Sequence, residues 1–123
     1  MHPRTRKNLK FFKLSSLDFN QVNLIDPISY FDMLVLEKNA DKILTDSGGM
    51  QKEAYILKVL CITLREETEW VETVKDGLNV LVGSNKQKII DITQKYKLKS
   101  HFRNYFGDGN TSNKILEILT LRV

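Results

Sequence analysis

Ile43-Leu44-Thr45-Asp46-Ser47-Gly48-Gly49-Met50-Gln51-Lys52-Glu53-Ala54 is the stretch that decides the fold. It opens as a short apolar run led by Lys42, the form of a strand covered on both faces. Asp46-Ser47-Gly48-Gly49 is turn chemistry. From Met50 the period changes. Met50, Ala54 and Leu57 fall at i, i+4 and i+7, one face of a helix running to Lys58. Strand, glycine turn and helix in that order are the first half of a βαβ unit.

The alternation repeats outward from this stretch. Downstream, Leu60-Cys61-Ile62-Thr63-Leu64 predicts a strand. The acidic segment 65–77 predicts a short helix around Trp70 to Val74, closed by Gly77. Asn79-Val80-Leu81-Val82-Gly83 predicts another strand. Lys86 to Tyr96 predict a helix with Ile89, Ile90, Ile92 and Thr93 inward. The loop Tyr105-Phe106-Gly107-Asp108-Gly109 leads to a last helix over Asn113 to Leu121. Upstream, residues 29–38 have helical spacing. Val22-Asn23-Leu24-Ile25 predicts a strand stopped by Asp26-Pro27, and residues 3–14 predict a basic amphipathic helix. Strands alternating with helices of this length point to an α/β fold: a Rossmann-like parallel sheet of about four strands with flanking helices.

The chain has 123 residues, 41% hydrophobic and 28% charged, the composition of one globular domain. Cys61 is the only cysteine, so no internal disulfide can form and a reducing, cytoplasmic setting is expected. With only His2 and His101 beside it, no His/Cys metal cluster is expected. Apolar runs such as Val59-Leu60-Cys61-Ile62 are too short to span a bilayer, and no secretory core is visible. The net charge of +4 is uneven. Residues 1–13 carry five basic and no acidic residues, residues 14–85 six basic and twelve acidic, and residues 86–123 eight basic and three acidic. Basic faces on terminal amphipathic segments around an acidic middle suit solvated helices, so neither nucleic acid nor membrane is expected as partner.

The Thr45 to Gly49 turn falls at the carboxyl edge of a parallel sheet, where ligands bind in this architecture. Two glycines let a ligand reach the backbone, and the helix N-terminus behind them favours phosphate or diphosphate. The alternative is that Asp46 or Ser47 simply caps the helix. Glu53 lies one helical turn below Gly49 and could accept two hydrogen bonds from a ribose diol, or be a solvated glutamate. Arg65-Glu66-Glu67-Thr68-Glu69-Trp70-Val71-Glu72 brings an arginine and four glutamates to the same edge. It is either a substrate-contacting loop or an acidic helix start. Cys61 reads as buried and inert, Trp70 as a packing residue, Phe106 as part of an anchored turn, and His101 as a surface residue.

Taken together, these stretches resemble the C-terminal part of the non-hydrolysing UDP-N-acetylglucosamine 2-epimerases. The resemblance is carried by His2-Pro3-Arg4-Thr5, Ile25-Asp26-Pro27 with Tyr30, Ile43 to Gly49 with Gln51, Glu53 and Ala54, and Thr63-Leu64-Arg65-Glu66 with Thr68-Glu69. Glu72-Thr73-Val74, Asn79 to Gly83 and Phe106-Gly107-Asp108-Gly109 follow in order. The family has two Rossmann-like domains in the GT-B arrangement. It interconverts UDP-N-acetylglucosamine and UDP-N-acetylmannosamine for surface polysaccharides, eliminating UDP to a glycal and re-adding it on the other face. It uses no cofactor.

The resemblance implies that Ser47, Gly48 and Gly49 hold the diphosphate of UDP and Glu53 the ribose hydroxyls. The Asp26-Pro27-Ile28 turn would lie near uracil. His2, Arg65 and Glu69 would line the cleft, with the loop at His2 near a regulatory UDP-sugar site in some bacterial members. The main acid and base groups would lie in an N-terminal domain absent from these residues, so the chain by itself is expected to be inactive. Two departures stand out. Met33 occupies the position of a uracil-neighbouring aromatic, and Glu69-Trp70-Val71-Glu72 replaces a Glu-Arg-Pro-Glu stretch. In a 3-2-1-4-5-6 strand order the chain would supply strands three to six only. Val22 to Ile25 would then sit about 14 Å from the next strand present, at about 4.8 Å per spacing. That gap predicts a shifted strand, a homodimer or complementary N-terminal fragment filling it, or marginal stability.

Overall fold

The computed structural model describes residues 3–14, 21–97 and 103–121. The chain divides into two compact units, Met1–Leu36 and Glu37–Val123.

In the first unit, α1 (Pro3–Phe11) carries the expected basic helix. An exposed ion pair joins Arg6 to Asp26. Residues 22–25 are not a strand. A strand exists only by pairing, and among the described residues this run finds no partner. Val22, Leu24 and Ile25 are accordingly about half exposed. Ser29 then starts α2 (Tyr30–Lys38). Its hydroxyl accepts from the Asp32 amide at 3.2 Å and donates to the Asp32 carboxylate at 2.7 Å.

In the second unit, β1 (Lys42–Thr45), β2 (Leu60–Thr63) and β3 (Asn79–Leu81) form a parallel sheet in the order β1-β2-β3. The architecture is the expected α/β one, with three strands among the described residues in place of about four. The register pairs Ile43 with Cys61, Thr45 with Thr63 and Cys61 with Asn79. α3 (Gly48–Leu57) and α4 (Val71–Lys75) make the crossovers. α5 (Lys86–Lys95) and α6 (Thr111–Thr120) follow.

Side chains alternate across a strand, so β2 presents two different surfaces. On one, Leu60 and Ile62 pack with Val82, Val80, Ile89, Ile92 and Tyr96, an aliphatic layer under α5. Ile89 and Ile92 face inward as expected, whereas Ile90 is 37% exposed. A residue 100° from each neighbour cannot share the face of both. On the other surface, Cys61 joins Ile43, Ala54 and Val59 under α3, and Thr45, Thr63 and Asn79 are buried beside them. Cys61 is buried as expected, and burial pushes its thiol pKa up, which keeps it protonated and unreactive. Ile115, Leu116, Ile118 and Leu119 of α6 are more than half exposed.

Candidate functional site

α3 begins two residues earlier than its apolar period suggests, so Gly48 and Gly49 are its first two residues. Ser47 is the N-cap, with extended backbone, and its Oγ accepts from the Met50 amide at 3.5 Å. Thr45 Oγ1 accepts from the Ser47 amide at 3.1 Å and lies 3.3 Å from Met50 Sδ, tying the strand end to the helix start. The capping reading of Ser47 therefore holds. It leaves the amides of Gly48 and Gly49 without a partner among the described residues. These are two of the four orphan donors of a helix start. Neither glycine has a positive φ, so the backbone does not demand glycine here. An added Cβ at Gly48 would lie 2.0 Å from Glu69 Oε1, the tip of a half-exposed side chain that would have to turn aside, and 3.5 Å from Trp70 Nε1, whereas at Gly49 it would meet only Ser47 Oγ at 3.8 Å.

The β2–α4 loop thus reaches the start of α3. Arg65 Nη1 pairs with Glu69 Oε2 at 3.2 Å. The same loop places Glu66 against Gly83, whose φ of +60 at the end of the β3 segment would strain any other residue. Glu53, half-buried on α3, stands one turn below Gly49 as the spacing predicts. So Ser47, Gly48, Gly49, Arg65 and Glu69 are brought to one edge, with Glu53 behind them. His2 lies outside the described residues, as does His101. The Asp26-Pro27-Ile28 stretch belongs to the first unit and is exposed.

A buried polar network, not singled out from the sequence, holds this edge together. Gln51 Oε1 accepts from Thr68 Oγ1 at 2.6 Å and from Asn79 Nδ2 at 3.0 Å. Asn79 also donates to Thr73 Oγ1 at 3.0 Å and accepts from Thr63 Oγ1 at 2.6 Å. Thr73 donates to the Trp70 carbonyl at 2.7 Å, and Trp70 donates its amide to Thr68 at 3.0 Å. Gln51, Thr63, Thr73 and Asn79 are all 2% exposed or less. Gln51 Nε2 alone is left without a partner among the described residues, and the bonds made tie α3, β2, β3, α4 and the loop into one arrangement. The signal available in the sequence was weak: a glutamine next to an inward methionine, and an asparagine heading an apolar strand.

Two more groups stand out. Glu37 is 2% exposed, and among the described residues neither carboxyl oxygen has a hydrogen-bond partner. Burial raises its pKa, and the charge of Glu53 raises it further. Trp70 packs edge-on against Phe106, and Lys52 Nζ lies 5.0 Å from the Trp70 ring centre and 4.9 Å from that of Phe106. Trp70 Nε1 is buried with no acceptor among the described residues. Toward the other end of α3, a cavity of about 510 Å³ is lined by Tyr55, Ile56, Lys58, Arg103 and Phe106. Its floor is braced by the Tyr55 hydroxyl donating to Asp76, which, with the Arg103 amide, holds the Asp76 pKa below its ordinary value. Among the described residues no three His, Cys, Asp or Glu side chains converge to hold a metal, and no helix is long and apolar enough to cross a membrane.

The family model described as UDP-N-acetylglucosamine 2-epimerase matches residues 1–120. A UDP-N-acetylglucosamine 2-epimerase homolog of Methanococcus maripaludis is 56% identical over 122 residues, covering 97% of this chain and 34% of its own length. The UDP-N-acetylglucosamine 2-epimerase of Methanocaldococcus jannaschii is 50% identical over 123 residues, covering 98% of this chain and 34% of its own. The solved structure of the M. jannaschii enzyme superposes with a TM-score of 0.83 at 49% identity, over 98% of this chain and 34% of that one. The same enzyme in complex with UDP-GlcNAc and UDP gives a TM-score of 0.79 at 50% identity, with the same coverage. The chain spans about a third of the length of these relatives.

Proposed function

The chain belongs to the UDP-N-acetylglucosamine 2-epimerase family, and from that premise we propose that it supplies the UDP-holding part of such an enzyme. The observation that carries this reading is the pair of bare amides at Gly48 and Gly49, opening a ten-residue helix at the carboxyl edge of a parallel sheet. Two amides and the positive helix end suit a diphosphate. The Ser47 hydroxyl, already turned to the helix start, adds a third donor. Glu53 accepts from the ribose hydroxyls one turn further along. Arg65 stands close enough to share the diphosphate charge once its side chain swings over.

The reaction of the family makes chemical sense of such a seat. Eliminating UDP removes the proton on carbon 2, breaks the bond from carbon 1 to the diphosphate oxygen and leaves a glycal. Negative charge grows on the diphosphate as that bond breaks, and fixed donors stabilise it. Re-addition on the other face reverses both steps and inverts carbon 2. Proton transfer at carbon 2 needs groups positioned on both sides of the sugar, and nothing in Ser47, Gly48, Gly49 or Glu53 can supply both. The 123 residues alone therefore bind UDP without turnover. Turnover requires the preceding two-thirds of the family's length, in the same polypeptide, in a homodimer or as a complementary fragment. The setting is cytoplasmic, and the product serves polysaccharide synthesis.

Calorimetric titration of UDP into the chain tests the seat. Binding should be detectable, and Glu53→Ala should weaken it about tenfold, the loss expected for hydrogen bonds to a charged acceptor. Equal heats from the two proteins would sink the ribose assignment. Incubation with UDP-N-acetylglucosamine should give no mannosamine epimer, and any such product would overturn the binding-only reading of these residues.

A further inference from the structure

We propose that Glu69 is a built-in competitor for the seat at Gly48: its carboxylate stands where an arriving diphosphate must come, and binding requires it to swing out. This rests on the reading of Ser47 to Gly49 as a diphosphate seat and adds to it a residue that sets the strength and selectivity of that seat.

Three observations converge on one point. Glu69 Oε1 lies 2.0 Å from the place a Gly48 Cβ would take, so the carboxylate stands beside the helix start, although it accepts from neither glycine amide. Arg65, the cation of this loop, is engaged by Glu69 at 3.2 Å. The Trp70 indole N–H, 3.5 Å from the same Gly48 point, is buried and has no acceptor among the described residues. A carboxylate near a helix N-terminus is itself stabilised there. It therefore imitates the ligand's charge while the ligand is away.

The loop's backbone is not what moves. The Leu64 amide donates to the Thr45 carbonyl at 2.9 Å, and Thr68 and the Trp70 amide are fixed by the Gln51 network. The Glu69 side chain is 50% exposed, so it can rotate into solvent with the backbone held. A diphosphate oxygen at the Gly48 and Gly49 amides would repel the carboxylate at contact distance. Once Glu69 leaves, Arg65 is released and can take the diphosphate in a two-pronged contact that a lysine could not match. The Trp70 N–H then has an anionic acceptor within reach. The exchange favours a ligand with two phosphoryl groups, one for the amides and one for Arg65, over a single phosphate that can meet only one of them.

Trp70 is the chain's single tryptophan, so its emission reports on the site directly. The experiment titrates inorganic pyrophosphate and UDP, at fixed ionic strength, into the 123-residue chain, Glu69→Gln and Glu67→Gln. Glu67 is an exposed acid of the same loop and controls for lost charge alone. Glu69→Gln should tighten both ligands about threefold, the scale of a partly exposed ion pair, with Glu67→Gln changing them less than about 1.5-fold. Equal tightening in both variants, or none in Glu69→Gln, overturns the competitor while leaving the seat standing. Failure of every protein to bind UDP or pyrophosphate overturns the seat itself, and the competitor with it. Calorimetry on the same samples gives the affinities should emission not change.

Discussion

The two ends of α3 use glycine in opposite ways. At the start, Gly48 and Gly49 have ordinary negative φ values, so any residue could adopt the backbone. At the end, Lys58 sits in the left-handed region at φ 61, donating its amide to the Ala54 and Tyr55 carbonyls, a position where glycine is at ease and lysine is not. A chain chosen for stability alone would place them the other way round. Glycine at the start is explained by access: bare amides, and room for Glu69 and Trp70 against the backbone. The start also stands on a buried hydrogen-bonded network, whereas the end borders an open cavity. Stability has been built around the first end and left suboptimal at the second.

The largest expected effect comes from breaking the support of the first end. Asn79→Ala removes the hub between Gln51, Thr63 and Thr73 and leaves buried polar groups unpaired. Such losses combine hydrogen bonds with a small cavity, and about 3 kcal/mol of destabilisation is expected. Thr68→Val, which frees only the loop, should cost about 1 kcal/mol and weaken UDP binding more than it weakens the fold. Urea unfolding followed by Trp70 emission measures the first, and UDP titration the second. A change below 1 kcal/mol for Asn79→Ala would mean that the network is not what holds the edge.

A smaller effect sharpens the contrast from below the helix. Glu37 is buried without a hydrogen-bond partner among the described residues, and burial first, then the charge of Glu53, raises its pKa. A raised value in the folded protein means that folding favours the protonated form. The stability tied to that proton is present below the ordinary glutamate range and is lost as the pH rises through the raised value. Glu37→Leu removes the titration. It should stabilise the chain by about 1 kcal/mol at pH 7, with the gain shrinking toward pH 4. Unfolding midpoints across that range check it, and a gain independent of pH would show that Glu37 does not titrate on folding.

Much of this was legible in the sequence, and the exceptions share a physical cause. The β1, β2 and β3 runs and every helix were marked by apolar period and punctuation, which are local. Ser47 through Glu53 were legible for the same reason: strand, glycine pair and helix are consecutive. Val22 to Ile25 carry the same kind of apolar run but no strand, because pairing is a property of a neighbour and not of the run. Gln51 and Asn79 were illegible as partners because their hydrogen bond spans 28 residues and polar side chains carry no period. The meeting of Glu69 with Gly48 was illegible for a related reason. It depends on how far the β2–α4 loop folds back, which the Gln51 network decides.

The smallest effect isolates the two ends directly. Lys58→Gly relieves the left-handed backbone, against a loss of entropy in the unfolded chain, and should raise stability by about 0.5 kcal/mol. Gly49→Ala, whose new Cβ meets only Ser47 Oγ at an ordinary 3.8 Å, should also raise it by about 0.5 kcal/mol through helix propensity. In stability the two substitutions are nearly equivalent. In UDP binding they should part: Lys58→Gly leaves the affinity unchanged, and Gly49→Ala lowers it because the methyl group stands beside the amide that meets the ligand. Equal affinity in both would mean that the glycines at the start of α3 are not there for access, and the contrast between the two ends would dissolve.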